Sequence, residues 1–115
     1  MTIPKTIISI DYIIEQYITS CTTLNFDSFS ELLYDPRIKV NFPSKKNFEK
    51  YMRFLLRDLR SQGYKKLYLK IEASGSSSKF QTKAYNFYHN KYFYPRLNTQ
   101  ISITEDGIIL DVLPF

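Results

Sequence analysis

The chain reads as an α+β domain with three helices packed on one face of a curved, mainly antiparallel sheet. Three observations predict this. Apolar residues recur at helical spacing before Gly63 and in strand-like runs after it. A short alternating stretch, residues 37–42, interrupts the early helices, with Ile38, Val40 and Phe42 on one side and Arg37, Lys39 and Asn41 on the other. Asp106-Gly107 stands between two strand-like runs as a type I′ turn pair. The order helix, helix, strand, long helix, then strands is one in which helices and sheet can enclose a pocket.

The first helix is expected over residues 7–21. At about 100° per residue, Ile7, Ile10, Ile13, Ile14, Tyr17, Ile18 and Cys21 share an arc, with Tyr12, Glu15, Gln16 and Thr19 opposite. Cys21 is therefore read as an inert buried thiol. A short helix follows over residues 27–33, with Asp27 as N-cap to Ser30 and with Phe29, Leu32 and Leu33 on its apolar side. Pro36 ends it and leads into the early strand.

The third helix has Ser44 as N-cap and Gly63 just past its end. Phe48, Met52, Leu55, Leu56 and Leu59 form its buried face. Lys46, Lys50, Arg53, Arg57 and Arg60 stay within about an 80° band on the other side. That stripe, extended by Lys65 and Lys66, could follow a phosphate backbone or an acidic partner. The simpler reading is a solvated face whose interleaved aromatics turn into the core, so nucleic acid is not the expected partner.

Strands are expected next. Leu67, Leu69 and Ile71 alternate with Tyr68, Lys70 and Glu72 up to a turn at residues 75–78. A second strand runs over residues 80–88, with a turn or bulge at His89-Asn90. A two-residue turn at Asp106-Gly107 would set Ile103 opposite Leu110, Ile101 opposite Val112, Ser102 opposite Asp111 and Gln100 opposite Leu113. Ile108, Leu110 and Val112 then share the core face, while Ile109, Leu113 and Phe115 share the other with Asp111. Residues 85–94 hold six aromatics, so both faces of the sheet carry them. Covering the second face calls for a homodimer formed through the sheet.

Composition narrows the classes. The 115 residues make a single domain, 1–115, able to bury roughly two-thirds of its unfolded surface. At 43% hydrophobic and 17% aromatic it is too apolar for a disordered chain, and a net charge of +5 favours anionic partners only weakly. One cysteine and one histidine exclude an internal disulfide, a cysteine-based zinc cluster and a His-rich metal site. No cofactor is implied. Asp11 cuts short the apolar run at residues 7–10, which does not read as a signal peptide, and no run is long enough to span a membrane. The expected location is the cytoplasm.

The element order, Leu32-Leu-Tyr-Asp-Pro36, the strand ending at Phe42-Pro43, the long third helix and the closing 105–112 hairpin together resemble the nuclear-transport-factor-2-like superfamily. That superfamily includes SnoaL-like and ketosteroid-isomerase-like proteins. The resemblance implies a cone-shaped sheet around an apolar pocket and pairing through the sheet. The pocket would be lined by Tyr17, Phe42, Met52, Tyr85, His89, Ile101, Ile103 and Leu110. It also implies a general-base Asp directly before a Pro, where this chain has Phe42 before Pro43, so ketosteroid-isomerase-type catalysis is not expected. The first functional expectation is thus a small apolar ligand in a non-catalytic pocket. Second comes an isomerase- or dehydratase-like enzyme using His89 and a tyrosine, and third a binder acting through the basic face of the third helix.

Overall fold

The computed structural model describes residues 8–76, 81–89 and 95–113. Ile7, residues 77–78 of the expected turn, Phe80, Asn90, Tyr92, Phe93, Tyr94 and Phe115 lie outside them. Helix α1 spans Ile10–Thr22, three residues later than expected, because the Ser9 side chain accepts from the Tyr12 N–H at 3.0 Å and caps the helix there. Ile13, Ile14, Tyr17 and Cys21 are buried on the predicted arc.

The second helix is shorter than expected. Helix α2 covers Asp27–Ser30, and a separate turn of 3-10 helix covers Leu32–Tyr34. Asp27 does not cap it: Phe26 already has helical dihedrals, so Asp27 lies inside the helix and the Ser30 N–H bonds the Phe26 carbonyl. Strand β1 is only Ile38–Val40. Phe42 is no longer strand and packs edge-on against Phe48, with ring centroids 5.2 Å apart.

Helix α3, Lys45–Ser61, matches its prediction at both ends. Ser44 accepts from the Asn47 N–H at 3.1 Å, and Gly63 takes φ +99° beyond the last turn. Phe48, Met52, Leu56 and Leu59 are buried, and Leu55 is half-buried.

Strands β2 (Tyr68–Ser76), β3 (Gln81–Tyr88), β4 (Leu97–Ile103) and β5 (Ile108–Leu113) complete a five-stranded sheet of order β1-β5-β4-β3-β2. Gly75, expected in a turn, lies in β2 just after a bulge and pairs with Thr82. Three pairings are antiparallel, and β1 joins β5 in parallel. The architecture is therefore α+β with a mixed, curved sheet.

The last hairpin is displaced from its expected register. Thr104 and Gly107 are linked by the Thr104 N–H bond to the Gly107 carbonyl at 2.8 Å, so the turn is made by Glu105 and Asp106. Ile103 faces Ile108, Ile101 faces Leu110, Ser102 faces Ile109 and Gln100 faces Asp111. Gly107 serves another purpose. A Cβ there would lie 2.7 Å from the Arg37 carbonyl carbon and closer still to its oxygen, which accepts from the Ile108 N–H where β1 meets β5.

Because the register moved by two, the side chains described from Gln100 to Ile103 and from Ile108 to Val112 kept their predicted faces. Ile38, Ile108, Leu110, Val112, Leu97, Thr99, Ile101, Tyr85 and Phe87 lie under the helices in one core cluster or beside it. The Tyr17 hydroxyl reaches Thr99 Oγ1 at 3.0 Å, tying α1 to the middle of the sheet. On the outer face Asn98 donates to Asn86, and Thr82 and Ser102 share a hydrogen bond of 2.9 Å, beside half-buried Ile109 and Asp111.

Candidate functional site

The residues expected to line an apolar pocket do not surround either of the two described cavities. Tyr17, Met52, Ile101 and Leu110 have essentially no exposure and belong to the packed core, as does Tyr85 at 5%. Tyr17 meets Phe29 edge-on and stacks on Phe48, at 5.1 and 6.4 Å between centroids. Burial holds its phenol neutral by raising its pKa well above the ordinary value, and the neighbouring Cys21 adds to the effect. Cys21 is likewise pushed up to about 12 by burial, as an inert thiol should be. Phe42 is half-buried against Phe48 and Tyr51, and Ile103 is exposed at the end of β4.

His89 follows the end of β3. Its ring lies 4.5 Å from that of Tyr64, in the loop after α3. Asn41, beside the position where the resemblance implies a base, is exposed and donates its N–H to the Leu110 carbonyl at 2.9 Å. Among the described residues no three His, Cys, Asp or Glu side chains gather where they could hold a metal ion.

The described cavity with the most converging polar groups lies on the opposite side of α3. It has a volume of about 410 Å³ and is formed between that helix and the loop joining α1 to α2. Phe26 and Leu56, both buried, make its apolar floor. Lys50, Arg53, Arg57 and Arg60 bring four cations to it, against one carboxylate, Asp27. Four of the five residues of the predicted basic stripe are therefore gathered at one cleft, and Lys46 lies one helical turn before Lys50.

The cations are not equivalent. Arg53 bonds Asp27 Oδ1 at 2.8 Å and Glu49 Oε2 at 3.1 Å, and its guanidinium lies 5.5 Å over the Phe26 ring. The hydrogen bond it donates to Asp27 holds it charged and raises its pKa. Glu49 is itself fixed by the Tyr34 hydroxyl, which donates at 2.8 Å. Arg60 donates to the carbonyl of Leu24, the one described non-glycine residue with positive φ, at +56°. Arg53 and Arg60 thus shape the cleft wall. Among the described residues Lys50 and Arg57 make no ion pair and present their charge to solvent.

One residue of this face was missed in the sequence. Phe54 is 60% exposed and lines the cleft, whereas the helix aromatics were expected to turn inward, as Phe48 does. The signal was its spacing: Phe54 lies four residues after Lys50 and three before Arg57, inside the basic arc.

The second described cavity, also about 410 Å³, is lined by Ile8, Glu31, Leu32 and Asp35. Asp35 is buried and gripped through both carboxylate oxygens by Arg37, at 3.0 and 2.9 Å, which lowers its pKa. Arg37 also donates to the Ile8 carbonyl at 2.7 Å, and Lys45 to the Asp35 carbonyl at 2.9 Å. These bonds clamp the start of α1 to the entry of β1.

Fold and site define an α+β domain with a cationic, aromatic-rimmed cleft on the outside of its longest helix. No protein-family model, curated protein or solved structure matches the chain. Among the described residues no helix is long and apolar enough to cross a membrane.

Proposed function

We propose that this chain is a binding module of the nuclear-transport-factor-2-like kind, and that its ligand is anionic and sits in the cleft outside α3. The observation that carries this is the convergence of Lys50, Arg53, Arg57 and Arg60 on one concavity of about 410 Å³. A volume of this order is ordinary for a ligand site, and low-dielectric walls such as Phe26 and Leu56 concentrate the field of the charges above them. The family reading is supported by the element order, with helices on one face of a sheet closed by a C-terminal hairpin.

An apolar ligand between helices and sheet has less to support it, because Tyr17, Met52, Ile101 and Leu110 are already packed against core neighbours. The reading is tested with inorganic tripolyphosphate as an anionic probe, titrated by calorimetry at low and moderate salt. Binding should weaken with salt and be lost when Lys50→Gln and Arg57→Gln are combined. Equal binding by wild type and double variant would refute it, as would no binding at all.

A further inference from the structure

We infer that the anion is a single-stranded nucleic acid lying along α3 with a base stacked on Phe54. This rests on the reading of the cleft given above and names its ligand. Phe54 takes no part in the core cluster, and the residue is 60% exposed beside the cleft. Helical geometry sets Lys50 and Arg57 about 5–6 Å to either side of it. An exposed aromatic ring between two available cations is the pairing that single strands use, the cations following phosphates and the ring taking a base face.

The line of cations outruns the cleft. From Lys46 to Arg57 is 11 residues, about 16 Å of helix, which is room for several phosphates rather than one nucleotide. A duplex keeps its bases stacked inside and offers Phe54 no free face. An acidic peptide would meet the charges and leave the ring unpartnered. Arg53 and Arg60 are committed to Asp27, Glu49 and Leu24, so Lys46, Lys50 and Arg57 are the phosphate contacts.

Three such contacts give a salt slope of about −2, so affinity for a single strand should fall about 20-fold between 50 and 200 mM salt. The experiment follows fluorescence anisotropy of a labelled oligothymidine about 20 nucleotides long, enough to exceed one binding site. Its duplex, inorganic polyphosphate and polyglutamate serve as competitors. We expect Phe54→Ala to weaken oligothymidine binding at least about fivefold with the salt slope unchanged. Combining Lys50→Gln with Arg57→Gln should bring the slope close to −0.7. Phe54 is exposed, so Phe54→Ala should melt like the wild type, which separates lost binding from lost fold.

Duplex competing as well as single strand would overturn the inference, and so would oligothymidine binding insensitive to Phe54→Ala. If polyphosphate or polyglutamate binds through Lys50 and Arg57 while Phe54→Ala changes nothing, the single-strand inference falls and the anion cleft stands. If no probe binds, both fall.

Discussion

Replacing Gly107 by alanine should cost far more than its place beside a surface turn implies. Its φ of +150° is one that L side chains rarely adopt, and the added Cβ would press into the Arg37 backbone. The clash is with main-chain atoms, so it cannot be relieved by rotating a side chain; β1 has to move away from β5. The first bond at risk is Ile108 N–H to the Arg37 carbonyl, 2.9 Å, followed by Asn41 N–H to the Leu110 carbonyl, also 2.9 Å. Each contributes about 1 kcal/mol net. Backbone strain adds about 1–2 kcal/mol, and partial exposure of Ile38 and Ile108, each now 1% exposed, adds about 1 more. A loss near 4 kcal/mol is a large part of a typical stability of about 5–15 kcal/mol. Gly63 supplies the control, since it also has positive φ but nothing lies within 4 Å of its added Cβ. Gly63→Ala should therefore cost only the strain, about 1–2 kcal/mol. Any effect of alanine on the unfolded chain is similar in both variants and largely cancels. Urea unfolding followed by far-ultraviolet circular dichroism gives both losses. If Gly107→Ala is no more destabilised than Gly63→Ala, the close approach of β1 is not what requires this glycine.

Two further outcomes are expected. Tyr17 and Cys21 are both held neutral in the core, with the Cys21 pKa raised from 9.0 to about 12. The unfolded chain loses these protons first, so their contribution to stability is complete below about pH 9 and falls as pH rises towards 12. Each group steepens the fall by up to about 1.4 kcal/mol per pH unit, and urea midpoints that stay level across that range would contradict this. We also propose that two copies pair through the outer sheet face around Ile109, giving a dimer in sedimentation at tens of micromolar, roughly. A wild-type monomer would refute the pairing, and an Ile109→Lys variant that stays dimeric would refute its location.

Helix α3 was legible in the sequence because its signals are local: a capping serine, a terminal glycine and a clean separation of apolar and basic arcs. The arc of α1 and the faces of β5 were legible for the same reason, since periodicity alone sets them. What failed to show depends on distant partners. Asp27 has the chemistry of a cap, but Phe26 takes the cap position and the Asp27 carboxylate turns to Arg53, 26 residues away. Gly107 fits a turn dipeptide, yet the residue that requires a glycine there is Arg37. The parallel joining of β1 to β5 left no mark in either strand. Of the site, the cations were visible as a stripe, but the cleft needs the loop carrying Asn25, Phe26 and Asp27 to come alongside them.

The pairing of β1 with β5 also has a bearing on synthesis. Strand β1 is an edge whose one partner begins 70 residues later, Ile38 lying beside Ile108. At about 5–20 residues per second, translation takes roughly 4–14 s to travel from one to the other. For much of that interval the sheet under α1 and α3 is incomplete, because β2, β3, β4 and β5 all come after both helices in the chain. Core residues such as Tyr17, whose hydroxyl meets Thr99 of β4, lack their sheet partners until the last hairpin is made. The nascent chain therefore passes through a stage in which its most apolar helix faces are available to chaperones or to other nascent chains, and closure of the final hairpin ends that stage.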